Sequence, residues 1–359
     1  MARFRHRICC TARIFLVATG VRVPDSFATC AAVALLLMAS PAHARAPGDA
    51  AGWWDHYRDD ARLVRLPDGK QLSLYCEGAG APVVVMESGL GLGAWTWSKV
   101  QAPLARTTRT CVYDRAGYWN SAATKGPRDA GAEADDLAAL LTAAHLPAPY
   151  ILVGHSYGGY IARLYASRHP DRVSGLVLVD PSVSYQYTRV QKAVPHVAAL
   201  FAALGDKSMI NYQACSVSPR PAGLATCTIQ LPPLDIPPDR LTWFTASQGP
   251  GYANAVLRET QAMNGVSSAQ VDAERTKLGA IPFILLTRGE PVDVPPGATD
   301  DEIEVTSKLW RQMHREILDI SSDSDLRVVA GAGHDIQYDR PDAVIAAVAE
   351  VVAKAHKSR

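Results

Sequence analysis

From Ala61 onward the chain alternates two kinds of hydrophobic pattern. Short runs such as Pro82–Glu87 (PVVVME) are almost wholly apolar, as in strands buried on both faces. Between them, stretches such as Ala132–Leu146 carry Leu137, Leu140 and Leu141 at helical spacing, with polar residues on the opposite side. The pattern predicts a hairpin, Ala61–Leu66 and Gln71–Cys76, around the turn Pro67-Asp68-Gly69. It then predicts strands at Pro82–Glu87, Thr108–Tyr113, Tyr150–Gly154, Val173–Val179, Pro282–Leu286 and Leu326–Ala330. Helices are expected at Trp95–Ala105, Ala132–Leu146, Tyr157–Arg168, Glu302–Ile320 and Ala343–Ala355. Thr299 and Glu302 have the spacing of a capping box, and His169-Pro170 ends a helix.

The alternation breaks from Pro181 to Gly279. This stretch is rich in Pro and Gly, offers helical pieces but no clear strand, and carries scattered aromatics. Because strand–helix alternation resumes afterwards, the stretch reads as a mainly helical cap, about residues 182–278, inserted into one domain. The fold class is therefore α/β, with a mostly parallel sheet covered on both faces.

Composition changes the picture chiefly at the N-terminus. Arg3, Arg5, Arg7, Arg13 and Arg22 precede an apolar run, Ala28–Ala39, and then Ala42-His43-Ala44. That order is expected of a secretory signal peptide over residues 1–44, leaving a mature chain of residues 45–359. The run is short for a membrane span. Five Arg and one Asp leave with the leader, taking the formal net charge from +1 to −3. Such a chain has no electrostatic reason to seek nucleic acid or an anionic membrane. Four cysteines remain, Cys76, Cys111, Cys215 and Cys227, an even number that suits disulfides and a secreted or periplasmic location. No CxxC or HExxH occurs, so neither a metal nor another cofactor is expected.

The sharpest chemical signal is Gly154-His155-Ser156-Tyr157-Gly158, followed by Gly159. This G-x-S-x-G follows an apolar strand and opens a helix, the context in which a serine sits on a tight turn above a sheet edge. A serine hydroxyl is a weak nucleophile until a base takes its proton, and the base in turn needs an orienting acid.

Four stretches, in this order, resemble the α/β-hydrolase family. They are Glu87-Ser88-Gly89-Leu90-Gly91, Tyr113-Asp114-Arg115-Ala116-Gly117, Gly154-His155-Ser156-Tyr157-Gly158-Gly159 and Gly331-Ala332-Gly333-His334. The resemblance spans about residues 61–355. It implies an eight-stranded sheet with a lid after strand six, Ser156 as nucleophile and His334 as base. It implies Asp293, after strand seven, as the triad acid, with Asp180 at the tip of strand six and Glu290 as alternatives. Oxyanion donors would be the backbone amides of Tyr157 and Leu90. His155 would pack rather than react. Cys76 and Cys111 fall on neighbouring strands of this fold, which leaves Cys215 to pair with Cys227. Cap aromatics, with Trp95 and Trp97, would line an apolar site or pack among themselves. The implied activity is a serine hydrolase acting on a carboxylic ester or related small acyl substrate. A lactonase, aminopeptidase or acyltransferase remains open on the same fold. A non-catalytic binding protein would be expected to have lost a member of the triad.

Overall fold

The structure, a computed structural model, describes residues 50–217 and 247–357. The expected leader, residues 218–246 of the insertion, and Cys227 with its expected bridge lie outside the described residues.

Eight strands form one sheet in the order β1-β2-β4-β3-β5-β6-β7-β8. They are β1 (Arg62–Arg65), β2 (Gln71–Glu77), β3 (Val83–Glu87), β4 (Thr110–Tyr113), β5 (Tyr150–His155), β6 (Val173–Val179), β7 (Pro282–Arg288) and β8 (Asp323–Val329). The β1–β2 and β2–β4 pairs are antiparallel; all others are parallel. Cys76 and Cys111 stand opposite each other in the β2–β4 register and form a disulfide.

The period of two along the strands divides the core. Val83, Val85, Leu152, Leu176 and Leu285 face one layer of helices, α3 (Ala130–Ala143), α4 (Gly158–Arg168) and α9 (Asp300–Arg315). Val84, Met86, Val153, Val177 and Leu286 face the other, α1 (Ala50–Asp59), α2 (Ser98–Ala105) and α11 (Pro341–Lys357). A single turn, α10 (Ile336–Asp339), leads into α11. Between β6 and β7 the described chain is helical: α5 (Gln186–Ala193), α6 (Pro195–Cys215), α7 (Pro250–Ala262), a π-turn at Met263–Ser267 and α8 (Ser268–Ala273).

Three departures from the sequence pattern have physical causes. Helix α1 precedes the periodic part of the chain and is held by tertiary contacts. Trp53 stacks on Tyr57 with ring centroids 4.8 Å apart, and the Tyr57 hydroxyl donates to Asp114 at 2.6 Å. Strand β8 begins three residues earlier than expected. It is an edge strand whose first residues, Asp323-Ser324-Asp325, are polar and partly exposed, so they carry no apolar signal. Trp95 and Trp97 are fully buried in the core. Trp95 packs edge-on to Trp119, and Trp97 Nε1 donates to Ser88 Oγ at 3.1 Å. The expected capping box at Thr299 and Glu302 forms, one turn before the predicted helix start.

Candidate functional site

The tips of β5, β6 and β8 converge on one point above the parallel edge. Ser156 follows β5 with φ +51°, a left-handed conformation that a serine adopts only when the surroundings impose it. Its backbone N–H donates to Val179 O at 3.1 Å, and its carbonyl accepts from Gly159 and Ser182, both at 2.9 Å. Close approach requires the flanking glycines. A Cβ on Gly154 would lie 2.6 Å from Gly158 O, and one on Gly158 would lie 2.5 Å from Glu87 O.

His334 stands on the turn after β8, where Gly331 takes φ +71°. Its Nε2 is 2.9 Å from Ser156 Oγ, and its Nδ1 is 2.6 Å from Asp180 Oδ2. Asp180, at the tip of β6 with φ +40°, is fully buried. Its Oδ1 accepts from Arg288 N at 3.1 Å and Trp310 Nε1 at 3.0 Å, and its Oδ2 also accepts from Arg288 Nε at 2.8 Å. Burial alone would raise the pKa of this carboxyl. The His334 hydrogen bond and the Arg288 charge outweigh that and hold it well below the ordinary range. Asp180 is therefore an ionised acceptor at neutral pH.

Asp293 does not meet His334, which corrects the sequence expectation. The chain leaves β7 with the Gly289 and Glu290 amides bonded to Ala332 O at 3.2 and 3.1 Å, which leads the next residues outward. The Asp293 side chain is 83% exposed and pairs with Arg288 Nη1 at 3.2 Å. Glu290 is exposed as well. The signal that favours Asp180 was present in the strand-end sequence Leu178-Val179-Asp180-Pro181. Arg288 and Trp310, the donors that hold it, lie more than a hundred positions away and carry no local mark.

His155 sits beneath His334. Its Nε2 donates to His334 O at 3.0 Å, while Gln337 Nε2 approaches its Nδ1 at 3.4 Å. Burial, then the neighbouring His334, lowers its pKa to about 4, so it stays neutral and supports the backbone of its neighbour.

On the other side of Ser156, the turn after β3 carries Leu90. Among the described residues neither the Leu90 amide nor the Tyr157 amide has a protein acceptor. The turn is gripped from below by Arg115, a residue of the Tyr113–Gly117 stretch to which sequence reasoning gave no role. Arg115 donates to Ser88 O at 2.6 Å and Gly89 O at 2.9 Å, the two carbonyls that precede the Gly89 and Leu90 amides. It also binds Glu87 at 2.7 Å and Glu259, on α7 of the insertion, at 2.9 Å. Glu259 further binds Arg128 at 2.5 Å and the Tyr118 hydroxyl at 2.7 Å, and Tyr118 Oη accepts from Gly91 N at 3.0 Å. Glu133 joins the same cluster through Arg128 at 2.7 Å. Burial pushes the Glu133 pKa well up, against the pull of Arg128, in a cluster where three glutamates face two arginines.

A cavity of about 360 Å³ opens over Ser156 and His334, with Leu90, Val190, Phe201 and Met263 on its apolar walls. Arg288 and the exposed Asp293 stand at its rim. Among the described residues no group of three or more His, Cys, Asp or Glu could hold a metal ion, and no helix is long and apolar enough to cross a membrane.

Comparison with known proteins agrees with this architecture. An uncharacterised protein of Bacillus subtilis (strain 168), YqjL, is 25% identical over 77% of this chain and 85% of its own length. A crystal structure of a putative lipase from Acinetobacter baumannii AYE superposes with a TM-score of 0.59 at 18% identity, covering 83% of this chain and 92% of that one. A putative epoxide hydrolase from Pseudomonas aeruginosa superposes with a TM-score of 0.58 at 21% identity, covering 83% and 97%. At those identities the two structures speak for the fold alone. Residues 83–347, which hold the parallel strands, the serine turn and the histidine turn, match the alpha/beta hydrolase family, and the chain belongs to it.

Proposed function

We propose that the protein is a serine hydrolase of carboxylic esters, with Ser156 as nucleophile, His334 as general base and Asp180 as the orienting acid. The observation that carries this reading is the pair of hydrogen bonds from His334, 2.9 Å to Ser156 Oγ and 2.6 Å to Asp180 Oδ2. Asp180 fixes the proton of His334 on Nδ1, which leaves Nε2 as an acceptor for the Ser156 proton. Ser156 Oγ bonds to the ester carbonyl carbon as that proton passes to His334. The Tyr157 and Leu90 amides receive the developing oxyanion. Collapse breaks the bond to the alkoxide, His334 returns its proton to the leaving alcohol, and an acyl-enzyme remains. Water then attacks the acyl carbon, giving its proton to His334. Expulsion of Ser156, which recovers that proton, frees the acid. The helices between β6 and β7 act as the cap over this pocket. Epoxide and dehalogenation chemistry on this fold uses a carboxylate nucleophile, and the serine at position 156 speaks against both.

We read residues 1–44 as an export signal, a reading supported by the Cys76–Cys111 bridge, which persists in an oxidising compartment. The decisive experiment expresses the chain into such a compartment and assays p-nitrophenyl esters of several acyl lengths. Wild-type turnover that vanishes in Ser156→Ala, together with labelling of Ser156 by a fluorophosphonate, supports the mechanism. Equal rates in the two proteins would sink it.

A further inference from the structure

A second recess, about 360 Å³, lies on the far side of α5 from the reaction centre, between α4, α5, α8 and the end of α9. The two cavities share α5 as a wall: Gln186, Tyr187 and Val190 face Ser156, while Tyr185, Arg189 and Lys192 face the recess.

Its floor is Arg163 of α4, only 6% exposed. Among the described residues this guanidinium makes no hydrogen bond or ion pair, and its Nη1 is fully enclosed. The other cations are matched differently. Arg189 holds Glu316 through two bonds of 2.7 Å. Arg275 is bonded to Asp319 and to the Glu316 carbonyl. Lys192 and Asp272 complete the ring, and neither is in an ion pair among the described residues. Five cations, Arg163, Arg189, Lys192, Arg275 and Lys277, the last sharing Asp319 with Arg275, thus stand against three carboxylates, Asp272, Glu316 and Asp319. Two positive charges are left over, and Arg163 is the most deeply buried of these cations.

A buried charge without a partner is costly, and it persists only where something compensates it. Burial already pulls the Arg163 pKa down to about 10, which leaves it charged at neutral pH. We propose that this recess is a binding site for a small oxyanion, a carboxylate or phosphate group, seated on the Arg163 guanidinium and flanked by Arg189, Lys192 and Arg275. A planar guanidinium presents paired donors matched to two oxygens of such a group. The excess of two positive charges fits a singly or doubly charged oxyanion.

The test is thermal unfolding of the purified full chain in chloride buffer, with acetate or inorganic phosphate titrated in at constant ionic strength. Wild type is expected to gain Tm as the anion rises. In Arg163→Met the apparent affinity falls about tenfold to a hundredfold, and the anion-free Tm equals or exceeds that of wild type, because an unpaired buried charge has gone. Asp272→Asn removes the competing carboxylate and is expected to tighten binding about twofold to fivefold, whereas Lys192→Ala weakens it similarly. If Arg163→Met does not fold, these two surface variants carry the test. The stronger of the acetate and phosphate responses identifies the class of oxyanion. An equal Tm rise in wild type and Arg163→Met places the anion elsewhere and overturns the proposal. So does a wild type that ignores both anions while Arg163→Met loses stability, since Arg163 would then be paired with Asp272. Unchanged affinities in both surface variants overturn it too.

Discussion

The two sides of the reaction centre are built by different means. On the histidine side, the groups brought together are side chains at the tips of parallel strands: Ser156 after β5, Asp180 after β6, His334 after β8. Strand pairing fixes their spacing, and Arg288 and Trp310 lock the carboxylate between them. On the proposed oxyanion side, Tyr157 follows β5 closely, whereas the Gly89 and Leu90 amides stand on the turn after β3, beyond the strand pairing. Their position is handed to a buried arginine, Arg115, whose own partner Glu259 comes from the insertion. The first side is a property of the sheet; the second depends on a charge network that crosses from the sheet to α7.

The largest expected effect lies on the histidine side. Asp180→Asn keeps the shape of the acid but favours the wrong histidine tautomer. It should lower kcat about 10³- to 10⁴-fold with an unchanged circular dichroism spectrum. A loss of less than tenfold would return the acid to another residue. On the oxyanion side, Glu259→Gln keeps the side-chain shape while removing the charge that holds Arg115. We expect kcat to fall about tenfold to a hundredfold while KM changes little, because the Leu90 donor acts on the transition state. Boronate affinity should fall in parallel. A KM effect alone would make the network a scaffold and nothing more.

The support beneath His334 gives a pH signature. His155 takes up a proton at its ordinary pKa of about 6.5 when unfolded but only near pH 4 when folded. Between those values the unfolded state binds more protons, so stability rises with pH through the window and is lost as pH falls from about 6.5 to 4. The loss is at most about 3 kcal/mol. Urea titrations of wild type and His155→Gln across that range should differ in slope, the variant being the flatter. Parallel slopes would mean that His155 is not held neutral. The smallest effect belongs to Asp293→Asn, which removes an exposed partner of Arg288. It should change kcat/KM by less than about twofold, and a loss comparable to that of Asp180→Asn would reverse the assignment.

The same division governs what could be read from the chain. The Gly154–Gly158 turn was legible because its glycines, its apolar strand and its helix are contiguous, and the physical demand on each is local. His334 was legible for the same reason, through Gly331 and Gly333 behind a terminal strand. The carboxylate partner of His334 was not, since Asp180 and Asp293 both follow strand tips. What separates them is burial under Trp310 and the path of the chain after Gly289. Arg115 stood in a recognisable stretch, yet its partner Glu259 lies 144 positions later, inside the segment with the weakest pattern. Helix α1 escaped because its order comes from Gln101 and Asp114 rather than from its own periodicity.

The grip of Glu259 on Arg115 bears on how this fold could be re-engineered or diverge. Insertions after strand six look like interchangeable modules, free to be lengthened, trimmed or exchanged to suit a new substrate. Here the module carries a carboxylate whose loss would leave Arg115 and Arg128 under-compensated in the interior. A graft that replaced α7 without restoring an acid at this position would disturb the machinery as well as the specificity. Among the described residues of the insertion, α5 and α6 are therefore the elements open to exchange, while α7 is tied to the sheet through Glu259.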